Sequence, residues 1–94
     1  MNFNEYYYHF DKANEHLKNA KKLESNDDFF GAKDEYFYAC QHFLFASKIA
    51  GGLSDNTKQV TAEQMSIKCK SSYNEMIYKQ WEKNKDNIRP EFCK

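Results

Sequence analysis

The stretch DFFGAKDEYFYACQHFLFASKIA, residues 28–50, decides the fold. Phe29, Ala32, Tyr36, Ala39, Phe43, Ala46 and Ala50 recur at alternating steps of three and four, a helix period and not a strand period. Phe30, Phe37, Cys40, Leu44 and Ser47 form a second stripe beside the first. Tyr38, His42, Phe45 and Ile49 form a third, roughly opposite. A helix that is apolar nearly all round is a central helix, covered on more than one side. The flanking segments are therefore expected to pack on it.

On the amino-terminal side, Asn2 and Glu5 have the spacing of an N-cap and its capping-box partner. Tyr6, Phe10, Ala13, Leu17 and Ala20 then form one narrow stripe, extended by Leu23 or Glu24, while Lys12, Lys18, Lys21 and Lys22 stay off it. This predicts an amphipathic helix with one buried face. Tyr6, Tyr7 and Tyr8 point in different directions, so at least one ring is exposed. Ser25-Asn26-Asp27-Asp28 is a break rich in N-cap oxygens, and Gly31 falls in the first turn of the next helix. So short a connection implies an antiparallel hairpin.

On the carboxyl-terminal side, Gly51-Gly52 is expected to stop the central helix by taking the left-handed cap conformation. Residues 53–57 then read as a polar loop, with Asp55 or Thr57 capping the third helix and Thr61 with Gln64 as a later alternative. The core stripe of that helix is Ala62, Met65, Cys69, Ser72 and Met76, thinner than the other two. Tyr73, Ile77 and Trp81 are displaced to one side of it. Pro90 is expected to end any helix, and residues 87–94 read as the start of a linker or tail leading into a longer polypeptide. No period-2 alternation occurs. The expectation is an all-α, antiparallel three-helix bundle in one domain, residues 1–86, with helices at about 3–25, 28–50 and 57–86.

Fourteen basic and 14 acidic residues cancel, which weighs against a fold that neutralises phosphates as a whole. The cysteines Cys40, Cys69 and Cys93 are odd in number and lack CxxC spacing, so a reducing compartment without disulfides is expected. No apolar run reaches the ~18 residues of a membrane span, and residues 1–10 are too polar for a signal peptide. A soluble cytoplasmic domain without membrane insertion is the expectation.

Recognisable chemistry is missing. His9, His16 and His42 have no metal-ligand spacing, and HExxH is absent. His9 and His16 share a helix face but sit two turns apart, too far for one metal, so all three are read as surface or half-buried residues. GxxxxGK[ST], GxGxxG and GxSxG are absent too. Asp27-Asp28 is explained by capping better than by a cation site. The single arginine, Arg89, lies in the tail and rules out arginine-dependent nuclease arrangements. Neither catalysis by this domain alone nor a cofactor is expected.

Three patterns combine along the chain: Ala13, Leu17 and Ala20; then Phe29-x-x-Ala32-x-x-x-Tyr36-x-x-Ala39-x-x-x-Phe43-Leu44; then Met65-x-x-Lys68-Cys69. Together they resemble a microtubule interacting and trafficking (MIT) domain, most like the amino-terminal domain of the vacuolar protein sorting 4 class of AAA ATPases. The likeness spans about residues 12–85. It implies a three-helix module that binds carboxyl-terminal segments of ESCRT-III subunits. One mode places an amphipathic helix between helices 2 and 3, and another an extended segment between helices 1 and 3. The implied role is recruitment of a AAA ATPase, or another ESCRT-linked protein, to endosomal membranes.

At about 100° per residue, Lys70, Tyr73, Ile77 and Gln80 share one flank of helix 3, and Lys68, Ser71, Glu75 and Tyr78 the other. Taking Tyr73 as the family's groove-facing position pairs the first flank with Phe37, Gln41, Leu44 and Lys48 of helix 2. The implied floor is Phe37, Leu44, Tyr73 and Ile77, with Lys48 and Lys70 at the rim. Lys68, Ser71 and Glu75 mark the second groove, toward helix 1. The chain departs from the family in reading Tyr73-Asn74-Glu75-Met76-Ile77 where Leu-Asp-x-x-Glu is common, which removes two acids and favours a more apolar ligand. The loop at residues 51–64 is also expected to be longer than usual, and the aromatic cluster at the amino terminus is an addition.

The third stripe, Tyr38, His42, Phe45 and Ile49, is expected to face away from the core, where it would support self-association. Two other readings compete. A tetratricopeptide-like helical scaffold fits the alanine and aromatic spacing, but helix 3 does not restart the helix 1 pattern. A nucleic-acid binder using Tyr6-Tyr7-Tyr8 and nearby lysines is opposed by the neutral charge.

Overall fold

Alanine-rich faces set the architecture of the bundle. The structure, a computed structural model, describes residues 2–92, with side chains through Lys85. It contains α1 (Phe3–Ser25), α2 (Phe29–Gly52) and α3 (Asn56–Phe92), and no strand among the described residues. The chain is the expected all-α three-helix bundle.

α2 packs against both neighbours, while the backbones of α1 and α3 stay apart. Three core layers follow one another along the long axis, each drawing on all three helices. At one end Tyr6 meets Ala46, Ile49, Ala50 and Ala62. In the middle Ala13 meets Ala39, Phe43 and Cys69. At the far end Ala20 meets Ala32, Tyr36 and Met76. Every layer combines small and bulky side chains, so the helices can approach closely on either side of α2.

Each helix end has its own cause. Asn2 Oδ1 accepts from the Glu5 N–H at 3.0 Å and caps α1. At the other end of α1, Asp27 takes a left-handed φ of 59°. The Asp28 N–H then bonds back to Leu23 O at 2.9 Å. Asp28 Oδ1 in turn accepts from the Gly31 N–H at 2.9 Å, capping α2. A Cβ on Gly31 would fall 2.8 Å from Asp28 Oδ2, so the glycine leaves room for that cap.

The end of α2 corrects the expected bounds. Gly51 and Gly52 do not stop the helix but form its last turn, and the left-handed residue is Ser54, at φ 61°. The Ser54 N–H bonds to Gly51 O at 3.1 Å and the Asp55 N–H to Ala50 O at 2.9 Å, which closes the helix without a left-handed glycine. Asp55 then caps α3, accepting from the Lys58 N–H at 3.1 Å. That bond is the main reason its carboxyl lies below the usual aspartate range. The alternative cap at Thr61 is not used, since its hydroxyl donates to Thr57 O inside the helix at 2.8 Å. The long loop expected at 51–64 is therefore helix except at residues 53–55.

α3 runs to Phe92, beyond the expected end at residue 86 and through Pro90. Proline's locked φ of about −65° is helical, and in a last turn its missing N–H forfeits a single bond, so it need not end the helix. Cys93 and Lys94 lie outside the described residues.

Polar pegs fix the helices in register. Ser47 Oγ donates to Gln59 O at 3.1 Å, and Ser66 Oγ to Cys40 O at 3.1 Å. Glu24 of α1 accepts from Tyr36 Oη of α2 at 2.7 Å and from Lys79 Nζ of α3 at 3.3 Å. This carboxylate ties all three helices together at one end.

Two substitutions test this account in urea unfolding. Phe43→Ala, at a fully buried position in the middle layer, is expected to cost about 3–5 kcal/mol. Asp28→Ala, which removes only the α2 cap, is expected to cost about 1 kcal/mol. A Phe43→Ala loss no larger than that of Asp28→Ala would contradict the central place of Phe43.

Candidate functional site

Because α1 and α3 stay apart, the core is open along the line between them. A cavity of about 290 Å³ lies there, lined by Leu17 and Lys21 of α1, Tyr36 of α2, and Met65, Lys68, Cys69 and Ser72 of α3. The Tyr36 phenol forms part of the lining and keeps its proton, pushed well above its usual range by burial and by the Glu24 carboxylate it donates to. Burial also raises the Cys69 thiol to about 11, so this sulfur behaves as a small apolar group and not as a nucleophile.

Of the residues assigned to this side, Lys68 lines the cavity. Ser71 is exposed, and Glu75 is exposed with Oε1 3.4 Å from Lys79 Nζ. Sequence reasoning placed Leu17, Met65, Cys69 and Ser72 on core stripes, and did not propose Lys21 or Tyr36 for the groove. One signal was present: a core stripe containing Cys69 and Ser72 is too slender to fill the space opposite α1.

The other candidate surface lies between α2 and α3. Phe37 and Tyr73 come together across the helices, with ring centroids 5.8 Å apart. Phe37, Leu44 and Ile77 are 40%, 44% and 43% exposed, so none is a closed core residue. Tyr73 is half-buried and packs against the far core layer. Lys70 Nζ lies 5.3 Å from the centre of the Tyr73 ring. Gln41 and Lys48 are exposed, and Gln80 is half-buried, donating to Asn84 Oδ1 at 3.3 Å. Further along α3, Tyr78 and Trp81 are also exposed, 6.2 Å apart. That pair was not part of the expected groove.

The third stripe of α2 does not form an outward face. Ile49 is only 7% exposed and belongs to the first core layer. His42 is half-buried with its Nδ1 3.0 Å from His9 Nδ1 of α1. Tyr38 and Phe45 remain about half exposed but pack on His16 and His9. The reason is the placement of α1, which covers this side of α2.

Among the described residues no group of three or more His, Cys, Asp or Glu side chains is arranged to hold a metal ion. No described helix is long and apolar enough to cross a membrane. No family model, curated protein or solved structure matches the chain.

The two described cysteines offer a check on the cavity lining. In the folded protein at pH 8, iodoacetamide is expected to modify half-buried Cys40 well before Cys69, with the difference lost in urea. Equal native rates, followed by peptide mass mapping, would show that Cys69 is neither buried nor raised.

Proposed function

We propose that this chain is a peptide-capturing module of the MIT type. Its partners would be carboxyl-terminal segments of ESCRT-III subunits, and its role would be to bring a AAA ATPase or another ESCRT-linked protein to endosomal membranes. The observation that supports this most is the open apolar row of Phe37, Leu44, Tyr73 and Ile77 between α2 and α3. Long rows of half-exposed apolar side chains on two neighbouring helices suit the apolar face of a third. Lys48 and Lys70 near that row favour a ligand with acidic residues beside its leucine anchors. The cavity between α1 and α3 supports the second mode, in which an extended segment inserts a side chain beside Tyr36.

Fluorescence polarisation with two labelled ESCRT-III carboxyl-terminal peptides tests the reading, one helical and leucine-rich, one extended and proline-containing. Leu44→Asp and Tyr73→Asp are expected to weaken the helical peptide at least about tenfold, as loss of a central apolar anchor does, while circular dichroism stays unchanged. Leu44 lies outside the three core layers, so its substitution separates binding from folding. Lys68→Glu is the matching variant for the cavity and the extended peptide. Absence of saturable binding by either peptide to the folded wild-type protein would sink the proposal.

A further inference from the structure

The seam between α1 and α2 holds all three histidines of the chain. His9 Nδ1 and His42 Nδ1 are 3.0 Å apart. The two ring centroids lie 5.2 Å apart with 29° between the planes. That separation is close to the nitrogen spacing plus the two ring radii, so the nitrogens face each other edge to edge. His16 lies on the other side of His42, nearly parallel to it at 10° and 5.6 Å between centroids. Its own Nδ1 is engaged with Glu35 Oε2 at 2.5 Å, and the carboxylate accepts, so the His16 nitrogen carries a proton.

A facing pair of imidazole nitrogens has a strict requirement. One must be N–H and the other a lone pair. With no proton between them two lone pairs oppose each other; with two protons, two N–H groups do. The contact therefore holds with one Nδ1 proton, in the neutral pair or in the singly charged pair. It breaks when both rings are fully protonated.

We propose that His9 and His42 form a one-proton latch between α1 and α2, closed near neutral pH and opened when acid places a proton on both facing nitrogens. The surroundings make the second proton costly. From α1, His42 is faced by His9, Lys12 and His16; on α2 the neighbouring groups are Tyr38 and Glu35, both engaged with His16. Tyr8 packs on His9. Lys12 Nζ is 3.7 Å from Glu15 Oε2, an exposed pair that leaves its charge largely in place. Burial first, then the charges of His9, His16 and Lys12, hold His42 below the ordinary histidine value of 6.5. A lowered folded value means that the unfolded chain binds more protons. The stabilisation is complete above pH 6.5, fades as the pH falls through the folded value, and is gone below it.

Two readouts on the whole chain test the latch. Urea unfolding at pH 7.5 and 5.5 is expected to show a roughly three- to tenfold fall in the wild-type folding constant. His42→Gln and His9→Gln are expected to flatten that fall, and His16→Gln, which removes one neighbouring charge but leaves the facing nitrogens, to flatten it less. Independently, nitrogen-15 NMR of the imidazoles at pH 7.5 is expected to show an Nδ1-bound proton on one of His9 and His42 and an acceptor Nδ1 on the other. A flat wild-type profile, an undiminished fall in both latch variants, or Nε2–H tautomers on both rings overturns the proposal. The NMR readout needs only the wild-type protein, so it decides even where a variant does not fold.

Discussion

One helix must serve two neighbours at once, and the rest of the structure follows from that constraint. α2 presents Ala32, Ala39, Ala46 and Ala50, all fully buried, with Tyr36 and Phe43 between them. Alanine lets two helices approach without losing side-chain entropy, and the aromatic rings fill the volume left between layers. Ala13 and Ala20 on α1 and Ala62 on α3 repeat the device from the other side. α2 is thus the shared wall of two helix pairs. α1 and α3 meet through side chains, in the layers and at the Glu24–Lys79 pair, and the bundle stays open along that side.

Both candidate binding surfaces are consequences of this asymmetry. The space that α1 and α3 do not close becomes a cavity with Tyr36 in its lining. Glu24 limits how far it can open, since it holds Tyr36 and Lys79 at once and so clamps α1 to both other helices. On the opposite flank of α3, Ser47 and Ser66 make hydrogen bonds where bulky side chains would otherwise sit. Phe37, Leu44 and Ile77 are left at the margin of the contact. Apolar side chains in that position contribute little to folding and a great deal to whatever packs over them.

The seam between α1 and α2 is built differently. Where the α2–α3 contact uses hydroxyls, this one uses imidazoles, His9 edge to edge with His42 and His16 stacked on it, framed by Tyr8, Tyr38 and Phe45. Hydroxyl bonds keep their protons across the physiological range, whereas imidazoles change charge within it. The two sides of α2 therefore differ in how they respond to acid, even though their apolar layers are continuous.

Much of this was legible in the chain. The three-and-four spacing from Phe29 to Ala50 determined a central helix, and the stripes of Tyr6 to Ala20 and Ala62 to Met76 determined what covers it, because burial follows a period that residue order alone displays. Asn2 marked the start of α1, since a cap acts over three residues, while Asp28 and Asp55 were each one of several cap candidates among which the structure chose. Gly51-Gly52 and Pro90 misled about helix ends, because backbone preference is weak beside the bonds a packed helix already makes. What only the tertiary structure decided was which partner each stripe meets. His42 and Ile49 read as an outer face, but α1 lies over them; Cys69 is core as read, yet the distance between α1 and α3 also leaves it, with Ser72, beside a cavity. Local periodicity says that a side is apolar; the separation of helices distant in sequence says whether that side is closed.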